Sequence, residues 1–204
     1  MKLAPLDELS RRLARLPFDE TPPREGERAA AVAIILRAEP TATEVLLMRR
    51  VEHPEDRWSG HVSLPGGHAD PQENDLARTA VREAYEEVGV DLERTARLLG
   101  RLPRVQAQAR GRTAPLCVTP FVFVCREVVS PAPGAEASEV FWLPLARAAS
   151  GELSGIHRVE RRGISLELPC WRYEERVVWG LTHHVLSQLL RLGFGAEPGP
   201  AAPS

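Results

Sequence analysis

Apolar residues along this chain fall in short runs separated by polar, Pro- or Gly-bearing stretches, and their period changes from one run to the next. Leu6, Leu9, Leu13 and Leu16 recur at helical spacing, which predicts an amphipathic helix over Pro5 to Leu16 that Pro17 stops. Pro22-Pro23 then begins an extended link. The unbroken apolar run Ala29 to Arg37 predicts a buried strand, and Glu44 to Arg50 predicts the next, with Glu39 to Thr43 as their hairpin turn. His53 to Gly60 is polar and reads as a loop, and His61 to Leu64 as a short strand leading into Gly66-Gly67. A helix follows, capped by Asp75 and closed by Gly89 in the left-handed conformation.

Beyond it, Ala96 to Leu102 predicts a strand, Arg104 to Pro115 a loop, and Leu116 to Val124 a strongly β-forming run in which Pro120 limits the hydrogen bonding. Pro131 to Ala137 is a Pro/Gly/Ala loop, followed by a strand over Val140 to Leu145 and a helical turn at Ala146 to Ala149. Ile156 to Glu160 and Gly163 to Leu168 form a hairpin that Trp171 to Tyr173 extends, and Val177 to Leu192 reads as a C-terminal helix. No segment repeats. Strands before and after a central helix, with a second helix at the end, imply a mixed α/β sandwich with the sheet between helices. The organisation expected is an N-terminal helix and linker over residues 1–28, one domain over 29–195, and a disordered Pro/Gly/Ala-rich tail over 196–204.

Composition narrows the function. A chain of 204 residues suffices for one good core with decoration, and a net charge of −2 argues against a general nucleic-acid or membrane-surface binder. Arginine carries almost all the positive charge, Lys2 being the only lysine, so scattered arginines do not by themselves mark a phosphate site. Cys117, Cys125 and Cys170 are odd in number and lack metal-ligand spacing, as expected of reduced, mostly buried thiols in a cytoplasmic protein. The first residues mix acids and arginines before any apolar run, unlike a secretory signal, and no run approaches the roughly 20 apolar residues that span a bilayer.

The chemistry concentrates between Leu64 and Asp91. On a helix Glu83, Glu86 and Glu87 project together, with Thr79 and Arg82 on the same polar side and Ala77, Val81, Ala84 and Val88 opposite, packed inward. Three crowded carboxylates repel one another, and a bound divalent cation would remove the repulsion. A solvated acidic helix face is the plainer alternative, but it supplies neither the glycine pair before the helix nor the glycine after it.

The run Arg82-Glu83-Ala84-Tyr85-Glu86-Glu87-Val88-Gly89-Val90, with Gly67 and an acidic loop before it, resembles the Nudix box of the Nudix hydrolases. Its loop is one residue longer than the general pattern: counted back from Arg82 the loop acid falls on Asn74, and counted forward from Gly67 it falls on Glu73, with Asp75 also near. The resemblance implies a Nudix α/β/α sandwich with a mixed central sheet and water-driven cleavage of a diphosphate linkage. It implies Glu83, Glu86 and Glu87 as ligands of Mg²⁺ or Mn²⁺, the Gly67 carbonyl as a further donor, and Arg82 holding the carboxylates in place. Family members take their general base from the box or from a later loop acid, here Glu136 or Glu139, with Glu73 and Asp75 as outer acids. The family is often dimeric, with the N-terminal helix an added contact.

A second resemblance, to the coenzyme A diphosphatase branch, lies in Leu46-Leu47-Met48-Arg49-Arg50-Val51, in Gly60-His61-Val62-Ser63-Leu64-Pro65-Gly66-Gly67, in Asp70-Pro71, in Thr79-Ala80-Val81-Arg82-Glu83 and in Val178-Trp179-Gly180-Leu181-Thr182. Met48, Val51, His61 and Leu64 depart from that branch, which carries Thr, Ser, Gln and Phe there. The implied reaction releases 4′-phosphopantetheine and adenosine 3′,5′-bisphosphate. Arg50, Arg104, Arg110, Arg112 and His61 are candidate substrate contacts, while His53 and His68 read as solvated loop residues and Trp58 and Trp179 either stack on adenine or pack. The rivals are hydrolysis of ADP-ribose, NADH or another nucleoside diphosphate derivative, and a nucleotide-binding module that does not cleave. A nucleic-acid role for Arg158, Arg161 and Arg162 competes with a solvated hairpin balanced by Glu160 and Glu167.

Overall fold

The long apolar runs become paired strands buried on both faces. A computed structural model describes residues 6–16, 28–39, 42–53, 59–70, 72–73, 75–107, 116–161 and 164–194. Strand β1 (Arg28–Ala38) lies parallel to β7 (Leu116–Cys125) from Arg28↔Leu116 to Leu36↔Val124. Its alternate residues feed two cores. Ala31, Ala33 and Ile35 face one side, and Ile34 and Leu36 the other. A strand covered on both faces has no polar side, hence the unbroken apolar sequence.

Strand β2 (Thr43–Arg50) returns antiparallel beside β1 through the expected hairpin, with Leu36 opposite Val45. Beyond β2 lies β8 (Ala137–Pro144), and β3 (Val62–Ser63) pairs with Met48 and Arg49 of β2. The glycine pair itself forms a short strand, β4 (Gly66–His68), against Ala30 to Val32 of β1. On the far side, β5 (Ala96–Arg101) and β6 (Val105–Ala107) share the edge of β7. They meet near Pro120, whose carbonyl accepts from the Leu102 N–H at 2.9 Å. The proline therefore falls where the ladder is already interrupted.

Helix α2 (Leu76–Val88) covers one face, with the short α3 (Leu92–Thr95) after it; α1 (Leu6–Ala14), α4 (Leu145–Ala149) and α5 (Gly180–Phe194) pack on the other. In α1, Leu9 and Leu13 are buried, and the Ser10 hydroxyl donates to the Leu99 carbonyl at 3.1 Å. A second, three-stranded sheet holds β9 (Ser154–Arg161), β10 (Ile164–Tyr173) and β11 (Arg176–Trp179) in antiparallel order. The architecture is thus a mixed sheet between helical layers, as expected. All three cysteines are free thiols, Cys117 and Cys170 buried and Cys125 half-buried. No helix among the described residues is long and apolar enough to cross a membrane.

Several boundaries, and the buried face of α2, differ from the sequence reading. Residues 177–179 belong to β11 rather than to the last helix, because Val177, Val178 and Trp179 pair with Arg172, Trp171 and Cys170. Gly180, at φ 63°, makes the turn from that strand into α5. The expected loop from Arg104 begins as strand β6, and residues 108–115 lie outside the described residues, as does the 196–204 tail. Strand β8 starts at Ala137 rather than Val140, which moves Glu139 from a loop into a strand. The buried stripe of α2 is Ala80, Ala84 and Val88 with Thr79 and Glu87, while Ala77 and Val81 are only half-buried.

Candidate active site

Three backbone devices fix the acidic helix. Asp75 accepts from the Ala77 N–H at 2.9 Å, capping the N-terminus. Gly89, at φ 68°, closes the C-terminus with its N–H on Tyr85 and Ala84 carbonyls. The third device was not legible in the sequence: the segment before β8 docks on the end of α2, with the Ala132 N–H on the Val88 carbonyl at 3.1 Å and the Gly134 N–H on the Glu87 carbonyl at 2.8 Å. A Cβ on Gly134 would lie 2.0 Å from the Glu86 carbonyl oxygen, so only glycine fits that approach. The docking sets Glu136 beside the helix.

The glycine pair lies against the same helix. The Gly66 N–H donates to Glu87 Oε2 at 2.8 Å. A Cβ on Gly67 would fall 2.3 Å from Glu83 Oε1, so the missing side chain is the space the Glu83 carboxylate occupies. Glu87 is 3% exposed and Glu86 lies open to solvent.

Arg82 is the hub on the outer side. Its Nη1 reaches Glu83 at 2.8 Å and Glu86 at 3.1 Å, its Nε reaches Glu73 at 3.2 Å, and its Nη2 donates to the His68 carbonyl at 3.2 Å. Glu73 also accepts from the Thr79 hydroxyl at 2.6 Å and from the Asp70 N–H at 3.2 Å. The loop acid bound to Arg82 is therefore Glu73, the residue found by counting forward from Gly67. Asn74 lies outside the described residues, and Asp75 spends its carboxylate on the helix end.

Arg50 stands on the inner side. Its Nη1 is 3.6 Å from Glu87 Oε1 and its Nη2 is 3.4 Å from Glu136 Oε2, while the Val51 N–H donates to the Glu136 carbonyl at 2.9 Å. Glu139, by contrast, points to Arg176, whose Nε donates to it at 3.0 Å. Arg176 in turn lies 4.4 Å over the Phe141 ring and also pairs with Glu174.

The electrostatics follow this geometry. Burial raises the Glu87 pKa to about 7, against the Gly66 hydrogen bond and the Arg50 charge, with Glu83 and Glu136 adding to the rise. Burial also raises Glu83, with Glu86 and Glu136 contributing against Arg82. The Thr79 hydroxyl and Arg82 hold Glu73 below the usual carboxylate range, and Arg176 does the same for Glu139. Burial opposes the charge on Arg82, but its hydrogen bonds to Glu73 and Glu83 outweigh that and raise its pKa.

Among the described residues no three His, Cys, Asp or Glu side chains converge as a ligand group, and Arg50 and Arg82 bridge the carboxylates instead. The donors themselves, carboxylates beside a glycine turn with no Cβ in the way, are all oxygen, and that chemistry fits a hard divalent cation rather than Zn²⁺.

Of the other sequence candidates, His61 adjoins the cluster through its carbonyl, which accepts from the Arg50 N–H at 3.0 Å. Arg104 sits half-buried between β5 and β6, and Arg110, Arg112 and Trp58 lie outside the described residues. His61 packs edge-on against Trp179 at 4.8 Å, and His157 meets the same ring at 4.6 Å. These contacts make Trp179 part of the packing between β3 and β11. The His53 N–H donates to the Ser59 hydroxyl at 2.8 Å. Arg158 pairs with Glu167 at 2.8 Å across β9 and β10, in keeping with a solvated hairpin, and Arg162 lies outside the described residues.

Comparison with known proteins agrees with the geometry. The NUDIX domain profile matches residues 27–162, more than half of the chain. A Nudix hydrolase NudL of Photorhabdus laumondii, itself uncharacterised, is 33% identical over 174 residues, covering 81% of this chain and 84% of its own. A Yersinia pestis NudL is 34% identical over 164 residues, covering 79% and 76%. The fold is shared with a Nudix hydrolase from Alicyclobacillus acidocaldarius, at TM-score 0.52 and 22% identity over 85% of this chain and 98% of that one. It is shared as well with a Caenorhabditis elegans Ap4A hydrolase, at TM-score 0.51 and 24% identity over 60% and 84%. The chain belongs to the Nudix family and is a hydrolase of diphosphate linkages.

Proposed function

We propose that the enzyme hydrolyses coenzyme A or a coenzyme A derivative to 4′-phosphopantetheine and adenosine 3′,5′-bisphosphate, using Mg²⁺ or Mn²⁺. Nudix hydrolases generally use divalent metal ions. The observation that carries the reading is the seating of the glycine turn on the box helix, Gly66 on Glu87 at 2.8 Å and Gly67 under Glu83. That seating puts the Glu83 and Glu87 carboxylates beside the glycine turn. Glu83, Glu86 and Glu87, with the Gly67 carbonyl, would hold the cation. When bound it would polarise the scissile phosphate and favour ionisation of water at neutral pH.

The protein's own residues do the rest. Arg82 orients Glu83 and Glu86 from behind, and Glu73 with Thr79 orients Arg82. Glu136 is the loop acid best placed to accept a proton from the attacking water, because its backbone is fixed by Gly134 and Val51 while its side chain stays open to solvent. Glu139 serves β8 through Arg176 and not the reaction. Arg50, beside Glu87, is the arginine assigned to the diphosphate.

The choice of coenzyme A rests on the Leu46 to Val51, Gly60 to Gly67 and Asp70-Pro71 segments and on the longer loop, whose acid is nevertheless held by Arg82. A panel of coenzyme A, ADP-ribose, NADH and diadenosine tetraphosphate, scored by kcat/KM with each metal and by product mass, tests it. Coenzyme A should lead and yield the two named products. A tenfold or greater preference for another member would reject the assignment while leaving the diphosphatase chemistry intact.

A further inference from the structure

Strand β8 changes register where it begins, beside the acidic cluster. From Glu139 to Pro144 it pairs residue for residue with Arg49 to Glu44 of β2, but the partner of Arg50 is Ala137, and Ser138 is passed over. One extra residue on one side of an antiparallel pair is a β-bulge. The two cores show what it does. Along the regular stretch, Val45 and Leu47 share one core with Phe141 and Leu143, while Leu46 and Met48 share the core under α2 with Val140 and Trp142. Unbroken alternation from Glu139 would turn Ala137 away from α2. Ala137 is instead buried in the core under α2. The chain before it keeps to that side. The Ala137 N–H donates to the Gly134 carbonyl at 3.2 Å, the Gly134 N–H to the Glu87 carbonyl at 2.8 Å, and the Val51 N–H to the Glu136 carbonyl at 2.9 Å. Ser138 closes the bulge with its side chain. Its hydroxyl donates to the Arg49 carbonyl at 3.1 Å and lies 3.4 Å from that of Arg50, the two residues between which the register shifts.

We infer that Ser138 is a positioning residue for the hydrolysis: its hydroxyl fixes the bulge that turns Ala137 under α2 and so holds Glu136 at the site. This rests on the reading of Glu136 as the acid that accepts a proton from the attacking water. Ser138 acts through the backbone and not by contact with the substrate. A general base has to lie within about 3 Å of the proton it takes, and a shift of about 1 Å costs about 10²-fold in rate. Glu136 is an exposed side chain, so its aim comes from its backbone. That backbone has three anchors: Gly134 on the helix, Val51 on the strand, and the bulge. Loss of the Ser138 hydroxyl removes the third and leaves two, so the rate falls by less than a full displacement would cost.

The test is a double-mutant cycle on kcat. Coenzyme A, or the panel member that is cleaved fastest, is turned over at saturating Mg²⁺ by wild type, S138A, S138T, E136Q and S138A/E136Q, each first checked for folding by thermal melting. S138A should lower kcat about three- to tenfold, the worth of one hydrogen bond. S138T keeps the hydroxyl and should stay within about twofold of wild type. In E136Q the base is gone, so adding S138A should cost less than about twofold, because a residue that acts through Glu136 has nothing left to position. A loss from S138A as large in E136Q as in wild type would show a structural role alone and overturn the inference. So would a loss in S138A smaller than about threefold, or S138T falling as far as S138A. Should S138A fail to fold, S138C, whose thiol is a weak donor, takes its place in the cycle with the same expected outcome. E136Q that works at the wild-type rate would overturn the loop-acid reading itself, and this inference with it.

Discussion

Gly67→Ala separates a glycine kept for the site from one kept for the fold, and Gly66→Ala is its control. A Cβ at position 67 would lie 2.3, 2.6 and 2.9 Å from Oε1, Cδ and Oε2 of Glu83, and no other group lies as near. Carbon and oxygen rest at about 3.5 Å, so the carboxylate must retreat by roughly 1 Å. Glu83 can do so by turning about its own side-chain bonds, and position 67 is not among the glycines with positive φ, so the backbone bears no added strain. What is lost is the placement of one carboxylate and its 2.8 Å bond to Arg82. A displacement near 1 Å at a reacting group costs about 10²-fold in rate, whereas losing one of the Arg82 contacts costs about 1 kcal/mol or less of stability.

The control meets backbone. A Cβ on Gly66 would lie 2.4 Å from the Ala31 carbonyl oxygen and 2.6 Å from the Val32 Cα, and neither can move without parting β4 from β1. Gly66→Ala should therefore lose several kcal/mol of stability, roughly 3 by the cost of overpacking. The assays are kcat with saturating Mg²⁺ and thermal denaturation of the same preparations. The argument fails if Gly67→Ala retains activity within threefold of wild type, or if it melts as low as Gly66→Ala.

Two further outcomes follow from the carboxylates. The folded pKa of Glu87, raised to about 7, exceeds its unfolded value of about 4.3, so the metal-free folded state holds an extra proton between those values. That stabilisation is present below pH 4 and lost as pH rises through 7, so EDTA-treated wild type should melt lower at pH 7.5 than at pH 5.5 by more than E87Q does; equal slopes would refute it. Glu136→Gln should cut kcat at least tenfold with the melting temperature unchanged, whereas Glu139→Gln should lower the melting temperature through loss of the Arg176 pair and leave kcat alone, the reverse pattern reassigning the loop acid.

Much of this was written locally in the chain. Asp75 and Gly89 bound the box helix because capping depends on one residue's side chain or backbone freedom. The runs forming β1 and β7 were legible because a strand covered on both faces needs apolar residues at every position. Strand β4 was not, since its residues are glycines and a histidine, and it exists only because their backbone meets Ala30 to Val32. Residues 177–179 read as helix because Val-Val-Trp followed by an apolar helix gives one continuous periodic run, and only the partner strand β10 separates them. Within the site, the sequence placed the three box glutamates on one helix but could not tell Glu136 from Glu139. That choice depends on where β8 begins and on Arg176, 37 residues from Glu139.

The charge balance of the assembled cluster explains why these contacts matter together. Among the described residues Glu73, Glu83, Glu86, Glu87 and Glu136 are paired with Arg50 and Arg82, leaving three formal negative charges among these seven groups if all are ionised. Without a cation the protein answers in the only ways open to it. Glu87 takes up a proton more readily, Glu86 turns to solvent, and the arginines bridge what they can reach. Each answer is reversible except that of Arg82, which is locked by four partners. Two of the three charges stay on the outer side, where Glu73, Glu83 and Glu86 share Arg82, and one on the inner side, where Glu87 and Glu136 share Arg50. A cation arriving between the two sides would gain its stabilisation from charge that folding left uncompensated.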